Sequence, residues 1–88
     1  MFVEIESKGT SFLATLPEKD RRIIGEHIDR LADHPHAHGY IEPLRTNRKR
    51  FKMHVSGKYV VFFFVVRETA RVDLIMTTEQ AHKRYGRI

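Results

Sequence analysis

Apolar positions along this chain recur with spacings of two and of three to four, and the changes of spacing mark its elements. Val3 and Ile5 alternate with Phe2, Glu4 and Glu6, a period of two that predicts a short strand near a sheet edge. Phe12 and Leu16 then stand four apart with Leu13 beside them. This stripe predicts a helix that Thr10 or Ser11 caps and that ends at Pro17. Proline is tolerated in a first helical turn, and Glu18 and Asp20 complement the positive end of a helix dipole, so a second helix is expected to begin there. Ile24, Ile28 and Leu31, with Ile23 and Ala32 alongside, carry it to about Asp33. The two helices should form a hairpin packed on a sheet.

From His34 to Pro43 the chain holds two prolines, a glycine and three histidines, which predicts a loop. Beyond Leu44 the period returns to two. Phe51, Met53 and Val55 are expected on one face, and Arg50, Lys52 and His54 on the other. Ser56-Gly57-Lys58 makes a turn, and Tyr59 to Val66 is apolar at every position, the pattern of a central strand covered on both sides. Arg67 to Ala70 turns again, and Val72, Leu74 and Met76 alternate with Arg71 and Asp73 in a last strand. Thr77 with Gln80 matches a capping box for a short helix over about Glu79 to Tyr85, stopped by Gly86. The expected fold is α+β: a twisted, mainly antiparallel sheet with a helical hairpin on one face, in the order β-α-α-β-β-β-(α).

The 88 residues leave room for one domain, residues 1–88, and a domain of this size buries only about 60–65% of its unfolded surface. The longest apolar run, Tyr59 to Val66, is eight residues, too short to cross a bilayer as a helix, and no secretory signal pattern opens the chain. With no cysteine there is neither disulfide nor thiolate metal site. A cytoplasmic protein is expected.

Charge sharpens the picture. Residues 1–42 carry eight acidic and five basic side chains, and residues 43–88 carry three acidic and eleven basic. No acidic residue lies between Pro43 and Val66, whereas Arg45, Arg48, Lys49, Arg50, Lys52 and Lys58 do. Clustered cations attract phosphates by Coulomb forces and counterion release, so nucleic acid is the first partner to consider. The loop histidines His34, His36 and His38 have only Asp33 as a nearby carboxylate, and no metal site is assigned to them. Phe62, Phe63 and Phe64 are flanked by valines and alternate between faces, which fits core packing better than base stacking.

In its order of motifs the chain resembles the RelE/ParE superfamily of toxins from toxin-antitoxin modules. The resemblance spans nearly all of it: a strand, a helical hairpin with the Leu16-Pro17 junction, Asp33-His34-Pro35, Pro43-Leu44, Phe51 to Val55, Gly57-Lys58-Tyr59, Val61-Phe62-Phe63 and a tyrosine, Tyr85, near the C-terminus. The resemblance implies ribosome-dependent cleavage of mRNA without metal or cofactor, inhibition of translation, and neutralisation by a cognate antitoxin. A ribose 2′-OH would attack the adjacent phosphate, which requires a base, cations for the phosphate oxygens and an acid for the leaving oxygen. By position, Lys52, His54 and Tyr85 are the candidate catalytic residues, with Arg45, Arg48, Lys49, Arg50, His82, Lys83 and Arg84 as candidate RNA contacts.

Two departures qualify that carry-over. The family's glycine, any residue, tyrosine, arginine becomes Gly57-Lys58-Tyr59-Val60, and its cationic motif after the last strand becomes Thr77-Thr78-Glu79-Gln80. Two expected cations are absent. Cleavage is therefore expected to be weak, with Val60→Arg expected to raise it. A gyrase poison of the ParE kind, or a catalytically weak RNA-binding or regulatory module, is the alternative.

Overall fold

The all-apolar segment Tyr59–Val66 is the middle strand of the structure. The computed structural model describes residues 2–32, 41–44 and 49–86. The elements are β1 (Phe2–Ile5), α1 (Ser7–Ala14), α2 (Glu18–Asp29) with a 3₁₀ turn at Arg30–Ala32, β2 (Ile41–Pro43), β3 (Arg50–Val55), β4 (Tyr59–Val66), β5 (Thr69–Thr77) and α3 (Thr78–Tyr85). The strands form one sheet in the order β1-β5-β4-β3-β2. Its pairs are antiparallel except β1 with β5, which are parallel.

Each face of β4 is covered by a different helical element, which explains its lack of alternation. On one face the helical hairpin brings Ile24, Ile28 and Leu31 onto Met53, Val55, Val61, Phe63, Val72 and Ile75. Phe51 stacks on Phe63 with ring centroids 5.4 Å apart. On the other face Leu44, Val60, Phe62, Met76 and Ala81 form a smaller core, joined by Leu74 and Tyr85. The C-terminal helix thus covers the second face over the first half of β4, while Val66 at its far end is exposed. Among the described residues no helix is long and apolar enough to cross a membrane.

Several boundaries differ from the sequence expectation. The first helix begins at Ser7 with Glu6 as N-cap, and Thr10 and Ser11 lie inside it. It ends at Ala14, where the Thr15 hydroxyl donates to the Phe12 carbonyl at 2.7 Å. The second helix ends at Asp29, followed by the 3₁₀ turn. Ile41–Pro43, expected as the end of a loop, is an edge strand paired with β3, with Pro43 opposite Phe51. Proline fits there because an edge strand has one side with no ladder bond to make. The rest of the expected loop, residues 33–40 with its histidines, lies outside the described residues.

The last strand departs most. Val72 faces the hairpin core, yet Leu74 and Met76 face the second core. The pairing explains it: Phe62 is opposite Leu74 while the next residue, Phe63, is opposite Val72, a bulge that leaves Asp73 as the extra residue. An extra residue breaks the strict alternation of faces.

Candidate nucleic-acid interface

Alternation along β3 does place Arg50, Lys52 and His54 on one face, since their cross-strand partners Phe64, Phe62 and Val60 belong to the second face of β4. The turn that leads into β4 holds Ser56 and Gly57 at φ of 55° and 68°, so two successive left-handed residues fix the register of the hairpin. The first residue of α3 is tied to this turn: the Thr78 amide donates to the Lys58 carbonyl at 2.8 Å and its hydroxyl to that of Gly57 at 3.1 Å. The capping box forms as its sequence predicts, with Thr77 and Gln80 exchanging bonds of 3.0 and 3.1 Å. These bonds aim α3 across the face that carries the β3 cations.

Arg50 lies across β4. Its Nη2 donates to both carboxylate oxygens of Asp73 at 2.8 and 2.7 Å, and its guanidinium carbon sits 5.9 Å from the centre of the Phe62 ring. The Nε of Arg50 is buried without a hydrogen-bond partner. Lys52 is only 6% exposed, and its ammonium lies 3.7 Å from a Glu42 carboxylate oxygen on β2. That separation exceeds a hydrogen bond, so the pair is held by charge alone. His54 is half-buried opposite the fully buried Val60.

Tyr85 reaches the same neighbourhood from α3. Its ring packs on Phe62, the cross-strand partner of Lys52, with centroids 5.1 Å apart. The Arg84 guanidinium carbon lies 5.5 Å from the Tyr85 ring centre, within cation–π range. His82 and Lys83 are exposed on α3, Lys83 being 3.7 Å from Glu79 one turn earlier. Lys49 is exposed at the entrance to β3, and Arg45 and Arg48 lie outside the described residues. The structure therefore gathers Arg50, Lys52 and Tyr85 around Phe62, with His54 next along the same face of β3 opposite Val60 and α3 presenting His82, Lys83 and Arg84 to solvent.

Two members of this cluster escape a reading of the chain by charge runs, namely the carboxylates Asp73 and Glu42. Asp73 carries a signal in hindsight, being the acidic residue inside the last strand of a basic half. Val60 is fully buried beneath α3, against Ala81 and Met76, so a cation at this position would need the helix to move. Among the described residues no group of three or more histidine, cysteine, aspartate or glutamate side chains is placed to hold a metal ion.

No protein-family model matches the chain, and no curated protein sequence does. Solved structures match along almost its full length. The isolated E. coli RelE toxin is 15% identical with a TM-score of 0.72, the match covering 94% of this chain and 96% of that one. The toxin-antitoxin complex of RelB and RelE from Methanococcus jannaschii gives 12% identity and a TM-score of 0.71 over 93% and 98%. The intact E. coli RelBE complex gives 16% and 0.70 over 84% and 92%. At such identities backbone arrangement is shared where side chains have diverged, and the mixed five-stranded sheet with its helical hairpin and C-terminal helix is the RelE-like toxin fold.

Proposed function

We propose that this chain is the toxin of a toxin-antitoxin module and that it cleaves ribosome-bound mRNA without a metal, under control of a cognate antitoxin. The observation that carries the reading is the column Arg50, Lys52, His54 beside Tyr85 on one face of a RelE-like sheet. An imidazole exchanges protons near neutral pH, which suits His54 to take the proton from the attacking 2′-OH. Lys52 and the neighbouring cations would stabilise the charge that grows on the phosphate oxygens. A phosphate oxygen at about 2.8 Å would hold the Lys52 ammonium more strongly than Glu42 does at 3.7 Å. Tyr85 assists the departing 5′-oxygen as acid.

Support for the antitoxin comes from charge and from relatives. The second half of the chain has a strong cationic excess, which an acidic partner would match, and two of the matched structures are toxin-antitoxin complexes. The test is cleavage of mRNA on programmed ribosomes by wild type and His54→Ala, with the antitoxin added to one arm. Turnover should fall by roughly 10² to 10⁴ in the variant while ribosome affinity is retained. Equal cleavage by the two proteins would eliminate histidine catalysis.

One observation favours a second reading. The two positions where RelE-like toxins carry further cations hold Val60, which is buried, and Gln80, whose side chain is used in the capping box. A non-cleaving member that binds gyrase or regulates its module through RNA would need neither cation. Absence of cleavage with a growth block in replication would identify the gyrase-directed form.

A further inference from the structure

The contact between Arg50 and Asp73 joins two strands that are not neighbours in the sheet. Arg50 belongs to β3 and Asp73 to β5, so the pair spans β4. It can do so because of the bulge at Phe62/Phe63, which turns both Asp73 and Leu74 toward the second face. Without that extra residue the alternation would point one of them into the hairpin core. The pair is neither sealed nor loose. Both side chains are about a quarter exposed, at 25% and 26%, and the contacts are 2.7 and 2.8 Å.

We propose that Asp73 is a specificity-determining residue of the RNA-binding face: its carboxylate holds Nη2 of Arg50 and offsets the guanidinium charge, and an RNA phosphate takes that donor only by displacing it. The inference rests on the RNA-binding reading above. A carboxylate and a phosphodiester each carry one negative charge and offer two accepting oxygens, so they compete for the same donors. The tethered carboxylate acts at an effective concentration of the order of mM or more, whereas an isolated phosphate must come from dilute solution. A single phosphate therefore loses. A strand held at neighbouring cations brings its next phosphate at comparable effective concentration and can win. Asp73 thus biases the face against short or isolated anions and toward a strand already held elsewhere.

The experiment is a salt titration of a short fluorescent oligouridylate against four proteins: wild type, Asp73→Asn, Glu26→Gln on the exposed side of α2 as the charge-matched control, and Asp73→Asn combined with Arg50→Gln. Freed Arg50 should add one phosphate contact in Asp73→Asn, steepening the log-log slope by about 0.7 between about 50 and 200 mM salt and raising affinity at the low end by about tenfold. Glu26→Gln should keep the wild-type slope, and the double variant should lose the gain, as expected for two groups acting as a pair. Asp73→Ser supplies the same neutralisation should the asparagine variant fail to fold. If wild type binds and Asp73→Asn matches Glu26→Gln, this inference falls and the RNA reading stands. If none of the four binds, the RNA reading falls with it.

Discussion

The phenol of Tyr59 donates a 2.6 Å hydrogen bond to the Asp20 carboxylate, joining the first residue of β4 to the first turn of α2. Tyr59 is 8% exposed, and the Phe12 ring meets it edge-on at 6.2 Å. The ring of Tyr59 thus meets α1, and α2 is joined to the central strand by its hydroxyl. Removing it in Tyr59→Phe should cost about 1–2 kcal/mol, because a hydrogen bond to a charged acceptor is stronger than a neutral one and the half-buried carboxylate loses its donor. Urea denaturation of the two proteins at neutral pH measures it.

The same contact predicts an alkaline limit. The hydrogen bond to Asp20, then burial, then the carboxylate's charge raise the pKa of Tyr59 above that of free tyrosine. The folded chain therefore keeps this proton at a pH where the unfolded chain has begun to lose it. Its contribution is complete below about pH 10 and is lost as the pH rises through the folded-state value. Wild type should lose more stability than Tyr59→Phe between about pH 9 and 11, and parallel slopes would refute the assignment.

Lys52→Met should separate chemistry from stability. The methionine chain fills the buried stem of Lys52, and Glu42 opposite is exposed enough, at 56%, to be rehydrated. Replacing a buried ionic side chain with an apolar one of similar size is often neutral or stabilising. The midpoint of unfolding should hold or rise, while cleavage on ribosomes falls by about 10² to 10³ if Lys52 stabilises the phosphate charge.

Val60→Arg should not restore activity. The sequence alone makes this substitution look like a repair, but the side chain points beneath α3 into a core with Ala81, Met76 and Phe62. Burying an unpaired charge there should cost on the order of 3–5 kcal/mol. Thermal unfolding would show a large loss, and improved cleavage by a stable variant would overturn the packing described here.

Tyr85→Phe preserves the ring contact with Phe62. Stability should stay within about 0.5 kcal/mol of wild type. A fall in cleavage in this variant would then report on the hydroxyl, whereas a fall in Tyr85→Ala would report on α3 as well.

What could be read from the chain depended on whether local chemistry decided the outcome. The Ser56-Gly57 turn, the Thr77–Gln80 box and the double-sided β4 were legible because turn geometry, capping and burial on both faces each leave a residue signature. The start of α1 was not. Gly9 looks like a breaker, yet it is buried inside the helix because a Cβ there would lie 3.0 Å from Ile5 Cγ2 and 3.4 Å from Ile75 Cδ1, so its absence lets α1 approach the sheet. The three-residue β2 is too short to show a period. The column Arg50, Lys52, His54 followed from alternation alone, but the partners of its first two members, Asp73 and Glu42, lie on other strands. One of them is aimed by a bulge that no local pattern announces.

The parallel pairing of β1 with β5 sets the order in which this chain can become itself. Phe2 to Ile5 align with Thr69 to Val72, so β1, the first of these five strands to be made, has no partner until β5, the last of them, emerges. The apolar stripe of the helical hairpin is in the same position, since the sheet residues it covers, from Met53 to Ile75, come after it. Contacts this distant in sequence make folding slow and leave greasy surface open meanwhile. A nascent chain would thus spend its synthesis unassembled, its hairpin uncovered and its cationic face incomplete until the last of these strands arrives.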